Sequence, residues 1–344
     1  MKKQSKLLAL LLACAMTLAL SACGGNSATT STPGGSAAPA ASGSAAATGD
    51  KTYTIGICQL VQHNALDAAT KGFKDALTEK LGDKVKFDEQ NAAGDSATCA
   101  TICNQFVSST VDLIMANATP ALQAATAATN AIPILGTSVT DYGTALSIAD
   151  WKGTTGTNVT GTADLAPLDK QAEMIKTLFP DAKNVGILYC SAEPNSKYQS
   201  TEITKYLTDA GYTCKEFTFA DSNDVAAVTK TACDESDVIY IPTDNTAASC
   251  AESINNVAEP AKVPIVAGEA GICTGCGVAT LSIDYYDLGV VTGNMAYEVL
   301  VNGADPATTE IQFAPKTTYQ YMADRCEKLG VKVPSDYVAI EVEK

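Results

Sequence analysis

Between residues 53 and 267 short apolar runs alternate with amphipathic stretches, and they do so in two rounds. In the first round the runs at 53–61, 85–89, 112–116 and 132–136 have the length of strands. The stretches between them, at 65–81, at 96–108 and opening at Thr119, read as helices; the first carries Leu66, Ala69, Phe73, Ala76 and Leu77 on one face. Such an order predicts a parallel sheet with helices on both faces. Residues 142–157 break the pattern with Gly, Thr, Ser and Asp, and hold the only tryptophan, Trp151. The alternation then resumes, with helices predicted at 165–179, 196–210, 223–233 and 246–258 and strands at 184–189, 213–219, 238–242 and 264–267. The fold class is therefore α/β, with two doubly wound parallel-sheet lobes. The tail reads as strands at 278–283 and 311–314, helices at 285–301 and 319–329, and a short apolar end at 337–342. It is too short for a third domain. The economical reading is that it crosses back to the first lobe and returns, so that 51–143 plus 284–314 form one lobe and 144–283 plus 315–344 the other, joined by a three-crossover hinge.

The start of the chain has a different character. Lys2, Lys3 and Lys6 precede an apolar run at 7–20, shorter than the ~20 residues a membrane span needs. Leu20-Ser21-Ala22-Cys23 matches a bacterial lipoprotein cleavage box. Residues 1–22 are thus expected to be a signal peptide, Cys23 the lipid-bearing N-terminus, and 24–50, rich in Gly, Ser, Ala and Thr, a tether. The net charge of −15 argues against nucleic acid and against an anionic membrane surface as partners, leaving membrane contact to the lipid alone. A monomer is expected.

Twelve cysteines is a high count for an exported chain, and ten remain once Cys14 and Cys23 are set aside. Cys58 and Cys190 sit inside apolar strands, where they behave as small hydrophobes. Cys273-Thr-Gly-Cys276 has the spacing of a redox or zinc half-site. There is no second CxxC and the one histidine is His63, so a structural disulfide or plain thiols is the favoured reading and no metal is expected. Cys99 and Cys103, four apart on a predicted helix, have poor geometry for a mutual disulfide. No H-E-x-x-H, G-x-S-x-G, Walker A or G-x-G-x-x-G sequence occurs, and no cofactor is expected. Paired acids among Asp141, Glu193, Asp244, Glu269 and Asp284 would suit glycoside hydrolysis, but such acids more often cap helices or hold an ammonium group.

Ligands of open parallel sheets bind off the carboxyl ends of the strands. Those ends fall at 59–64, 117–119 and 137–141 in the first round and at 189–195, 243–245 and 268–271 in the second. The run Leu113–Gln123 is the most telling. A buried strand turns directly into a helix there, with Thr119 as the expected N-cap and Pro120 in the first helical position. The free N–H groups of that turn form an anion site. Arg325 is the only arginine, so a bound carboxylate has to be met by backbone and hydroxyl donors.

Five segments carry a resemblance: Leu60-Val-Gln-His-Asn-Ala-Leu-Asp67, Asn158-Val-Thr-Gly-Thr-Ala-Asp164, Leu188-Tyr-Cys-Ser-Ala-Glu-Pro-Asn-Ser196, Tyr240-Ile-Pro-Thr-Asp-Asn-Thr246 and Ile283-Asp-Tyr-Tyr-Asp-Leu-Gly289. Together, from about residue 53 to about 329, the chain resembles the ABC-transporter solute-binding lipoproteins of the tryptophan/aromatic amino-acid type. The resemblance implies a type I periplasmic-binding-protein fold, anchored outside the cell membrane, that delivers a small zwitterionic solute, an amino acid and often an aromatic one, to an ABC permease. It implies no enzymatic activity. The CxxC departs from the family pattern. Carried over by position, Asn117, Ala118 and Thr119 would take the ligand carboxylate, with Ser138 and Thr140 beside them. Asp244 is the first choice for the ammonium, then Glu193 and Asp284. Gln62 and Tyr189 would line the side-chain end, Asn195 belongs to the same strand-end loop as Glu193, and Tyr285 would line the site or pack at the hinge. The same scaffold holding a nucleoside, sugar or short peptide, or presenting its ligand to a receptor, is the alternative; an exported hydrolase is the weakest reading.

Overall fold

A computed structural model describes residues 51–341. The expected signal peptide, Cys23 and the expected tether lie outside the described residues. The first five strands are β1 (Tyr53–Gln59), β2 (Val85–Asn91), β3 (Leu113–Asn117), β4 (Ile134–Val139) and β5 (Val159–Ala163). The next five are β6 (Asn184–Cys190), β7 (Thr213–Phe219), β8 (Val238–Ile241), β9 (Ile265–Ala267) and β10 (Ala279–Ile283). β11 (Gln312–Phe313), β12 (Thr317–Tyr321) and β13 (Val338–Ala339) complete them. The helices are α1 (Asn64–Leu81), α2 (Ser96–Ser108), α3 (Thr119–Ala128), α4 (Tyr142–Leu146), α5 (Leu168–Leu178) and α6 (Pro194–Asp209). They continue as α7 (Val225–Glu235), α8 (Asn245–Ser249), α9 (Ala251–Ala261), α10 (Ala270–Cys276), α11 (Tyr285–Asn302) and α12 (Ala323–Leu329).

Two sheets result, as the alternation requires. One runs β11-β5-β4-β3-β1-β2 and the other β13-β12-β10-β9-β8-β6-β7. Every pairing is parallel except β10 with β12. Each sheet is covered on both faces, so its central strands are buried end to end; β3 and β4 are buried at every residue. None of the described helices is long and apolar enough to cross a membrane.

Two sequence readings are corrected. Residues 144–163 do not join the second lobe, because β5 lies in the first sheet between β4 and β11. Its Val-Thr-Gly-Thr-Ala looks polar, yet Thr160 and Thr162 are fully buried with their hydroxyls engaged: Thr160 Oγ1 donates to Thr309 O (3.0 Å), and Thr162 and Thr292 Oγ1 lie 2.8 Å apart. Residues 319–321 belong to β12 rather than to the last helix, which starts at Ala323. Thr-Thr-Tyr-Gln-Tyr is rich in β-branched and aromatic residues, and it pairs antiparallel along all of β10. The chain therefore passes between the sheets at 164–167, at Asp284 and at 314–316.

The returning segment is locked to the first lobe by backbone contact. A Cβ at Gly72 of α1 would stand 2.1 Å from Tyr286 O, and one at Gly289 of α11 would stand 2.0 Å from Ala69 O. The two helices cross with no side chain between them at either point. Gly72→Ala and Gly289→Ala should each lower stability by about 1–3 kcal/mol, the usual cost of overpacking. Urea unfolding checks this, and unchanged midpoints would mean that the helices can part without loss.

Candidate functional site

The β3–α3 turn has the form expected of it, with one difference. The cap position of α3 is Ala118, not Thr119, and no side chain caps the helix. Its first N–H groups are left to another partner. Ala118 has φ 89°, and Ser138, beside it at the end of β4, has φ 53°. Positive φ at two non-glycine residues on adjacent strand ends is strain of the kind held at ligand sites. The Ser138 hydroxyl is buried without a partner. Asn117 is fully buried; its amide donates to Leu66 O and to Thr70 Oγ1, both 2.9 Å away, while its Oδ1 has no partner. Asn117 thus ties β3 to α1 with its donor end and has acceptor capacity to spare. Thr119 and Thr140 are buried on the same edge.

The acids on the opposing side divide by how fully they are satisfied. Glu193 accepts five hydrogen bonds, from Asn195 Nδ2, Asn245 N and Nδ2, and Thr246 N and Oγ1, at 2.7–3.0 Å. Asp244 caps α8 through Ala247 N and also accepts from Cys190 N and Ser196 Oγ, all at 2.7 Å. Burial, then the neighbouring Glu193, pushes its carboxyl up to about 7. Both acids are consumed in joining α8 to the β6–α6 loop. Asp284 is exposed and caps α11 by accepting from Asp287 N at 3.0 Å. Glu269 caps α10 through Gly271 N and Ile272 N; burial pushes its carboxyl up.

Asp164 is different, and sequence reasoning left it out of the site. It is 3% exposed and is the first residue after β5, where the chain leaves the first lobe. It accepts only two side-chain hydrogen bonds, from Tyr285 Oη (2.9 Å) and Thr140 Oγ1 (3.1 Å). Burial pushes its carboxyl up to about 6, against the two hydroxyls, which favour the charged form. Asp164 closes one of the five family motifs, but its place at a strand end was hidden because β5 was not recognised as a strand.

The other sequence candidates scatter. Tyr189 is buried in the second lobe among residues such as Met174, Ile203 and Leu207, away from the first lobe; burial pushes its phenol up to about 12. Gln62 is exposed and lines a cavity of ≈ 280 Å³ with His63, Ala248 and Thr274. Asn195 donates to Glu193 and Thr243 O, and its Oδ1 is buried without a partner. Tyr285 opens α11 at a crossing between the sheets, and its hydroxyl donates to Asp164. Arg325 is nowhere near the turn: its guanidinium donates to the carbonyls of Cys273, Thr274, Gly275 and Gly277 at 2.7–3.2 Å and closes the end of α10. Cys273 and Cys276 are buried free thiols on that helix, and burial pushes Cys276 up to about 12. Among the described residues no group of His, Cys, Asp and Glu is placed to hold a metal.

The strand ends of the two lobes meet. His63 Nε2 and Asn245 Oδ1 are 3.2 Å apart, and Gln199 Nε2 donates to Thr140 Oγ1 at 3.4 Å. A cavity of ≈ 300 Å³ lies between the lobes, lined by Leu60, Val61 and Pro120 from one and Cys190, Glu193 and Asn245 from the other. It adjoins the β3–α3 turn. A larger one, ≈ 510 Å³, runs from Asn64 and Glu269 to Lys316 and Gln320 of the hinge side and touches none of Asn117, Ala118, Thr119, Ser138 or Thr140.

Residues 54–342 match the family described as ABC transporter substrate binding protein. The chain belongs to this family. A relative named tyrosine-binding protein, from Clostridioides difficile (strain R20291), is 40% identical over 265 residues, covering 75% of this chain and 76% of its own. The L-Trp complex of an ABC domain from Streptococcus pneumonia is 34% identical with a TM-score of 0.79, over 83% of this chain and 97% of that one. The ligand-free, open structure of a substrate-binding protein with adhesive properties from Clostridium difficile is 35% identical, TM-score 0.65, over 85% and 100%. At near-equal identity this substrate-binding protein is closer to the L-Trp complex, in keeping with the hydrogen bonds between its lobes. Proteins of this family bind solutes outside the cytoplasm for ABC transporters.

The state of Asp164 has a consequence for stability. Its folded value of about 6 lies above the ordinary 3.8, so the folded protein holds the proton more tightly than the unfolded chain. The contribution of this group to stability is therefore fully present below about pH 4, and about 3 kcal/mol of it is lost as the pH rises through 6. Asp164→Asn should remove that part of the slope and raise stability at pH 7. Urea unfolding at pH 4 to 7 checks it; equal slopes in both proteins would mean that the carboxyl is not held in this state.

Proposed function

We propose that this chain captures an amino acid between its lobes, with an aromatic side chain such as that of tyrosine or tryptophan, and passes it to the permease of an ABC importer. Family membership supports solute capture. The relative named for tyrosine and the L-Trp complex support the ligand class. The observation that carries the reading is Asp164: a buried carboxylate with two hydroxyl donors and no cation, on the same edge as an uncapped helix start and an unpartnered Ser138 hydroxyl. That pairing suits a zwitterion. The ligand carboxylate would sit on the N–H groups at Thr119 with Ser138 and Thr140, and its ammonium on Asp164, in place of Asp244. Contacts made only with both lobes together would favour closure. Nothing in this chemistry calls for turnover of the ligand.

The lobes in this reading are 51–163 with 285–313 and 168–283 with 317–341, hinged at the three crossings. The protein would act as a monomer, exported by residues 1–22 and held to the membrane by lipid on Cys23.

Ligand-stripped protein should rise in Tm with tyrosine or tryptophan and not with a nucleoside, a sugar or a dipeptide; at about a hundredfold over Kd the stabilisation is about 2.7 kcal/mol. Asp164→Asn should weaken binding by about 2 kcal/mol, more than tenfold by calorimetry. If none of the twenty amino acids raised Tm, the ligand class would be wrong; if Asp164→Asn bound as tightly as wild type, the ammonium would sit elsewhere.

A further inference from the structure

Ten described cysteines are free, and three of them, Cys58, Cys99 and Cys103, share one apolar cluster of the first lobe. The packing of α2 on β1 fixes how. A Cβ on Gly56 would stand 2.6 Å from the Phe106 ring, so the two residues are level with each other. Cys58, two residues further along β1, faces the same way and lies about 6.6 Å beyond Gly56. α2 returns between β2 and β3, which are parallel to β1, and so runs opposite to it. Cys103 and Cys99 precede Phe106 by about 4.5 and 10.5 Å along the helix axis. Cys58 therefore falls between their two levels. All three are fully buried and share one apolar cluster with Phe106. The Cys103 and Cys99 thiols, and then burial, push the Cys58 thiol far above its ordinary range.

We infer that Cys58, Cys99 and Cys103 form a redox-modification site, in which Cys58 closes a disulfide with either helix thiol and leaves the third thiol beside the bond. Cys99 and Cys103 cannot serve each other, being one turn apart on one helix. The trio is not a metal site, since none is formed among the described residues. By contrast, the thiols of Cys276 and Cys326 donate to the carbonyls of Ile272 and Val278. The extracytoplasmic space of this family is where disulfides persist. Because the thiols are sealed in the folded lobe, the bond would close during folding. Two S–H bonds break and one S–S bond forms; the two electrons and two protons pass to an external disulfide, which is reduced to two thiols. The spare thiol can then attack the bond and move it between Cys99 and Cys103, always through Cys58.

The bond would fasten two segments that reach the lobe junction. Gln59, next to Cys58, donates to Val61 O and to Asp67 Oδ1 at 2.9 and 2.6 Å and accepts from Thr70 Oγ1 at 2.7 Å. Asp95, the cap of α2, lines the 300 Å³ cavity.

The test is to refold the purified protein from denaturant in mixed oxidised and reduced glutathione, alkylate, and map tryptic peptides. Cys58 lies alone in 52–71, and Cys99 and Cys103 lie together in 87–152. The expected result is two thiols fewer per chain and a disulfide joining 52–71 to 87–152. Cys99→Ala and Cys103→Ala should each keep that link, and Cys58→Ala should lose it. Absence of the linked pair from the wild-type map would overturn the inference, and this holds even if a variant fails to refold. So would an equal loss of thiols in Cys58→Ala.

Discussion

Among the described residues four carboxylates, Asp164, Glu193, Asp244 and Glu269, are buried, and no lysine, arginine or histidine is buried with them. A charge taken from water without a partner is strongly unfavourable, so each acid has to be met by something else. Glu193, Asp244 and Glu269 are met by backbone N–H groups at helix starts, reinforced for the first two by side-chain donors. Those interactions build the loops of the second lobe and leave little acceptor capacity for a ligand. Asp164 is met by two hydroxyls, although an ionised carboxylate has about four acceptor positions. The distinction between the acids that build the second lobe and the one proposed to meet a ligand ammonium lies in this count, not in residue type or burial.

The position of Asp164 joins that count to the mechanics of the fold. It is the residue on which the chain first leaves the first lobe, and its hydroxyl donor Tyr285 opens α11, on which the chain returns. Thr140, its other donor, also accepts from Gln199 of the second lobe. One carboxylate thus touches two of the three crossings and a contact between the lobes. A cation placed there acts on the hinge directly, without a relay through the body of either lobe.

Much of this was legible from residue patterns alone. The two rounds of alternation fixed the lobes, and the strand-to-helix turn at Thr119 was recognised from its N-terminal chemistry. The strand that those patterns missed has a physical cause. β5 is built of Val, Thr, Gly and Ala, and its threonines read as loop until their hydroxyls are seen paired inside the lobe with Thr292, a residue 130 positions away. Losing that strand misplaced the first crossing and with it Asp164. Asp244 was chosen for its place at a strand end, which was right, but its satisfaction by Cys190 and Ser196 depends on a neighbouring strand end that no local pattern displays. Tyr189 shows the same limit at finer scale: adjacent residues of a strand face opposite sides, and only the packed sheet tells which side meets α6.

The lobes meet through few polar contacts, chiefly His63 with Asn245 and Gln199 with Thr140. Hydrogen bonds of this kind contribute about 1 kcal/mol each, so closure rests on few contacts of the protein's own. In the proposed reading a ligand ammonium at Asp164 gives the buried carboxylate a partner and adds the ligand's own contacts to both lobes, so its effect on the equilibrium would exceed the strength of the single ion pair it makes. An anionic solute would be repelled by that carboxylate, and a neutral one would leave it without a cation. In this reading the selectivity for a charged amino group would be set before any side-chain pocket is consulted.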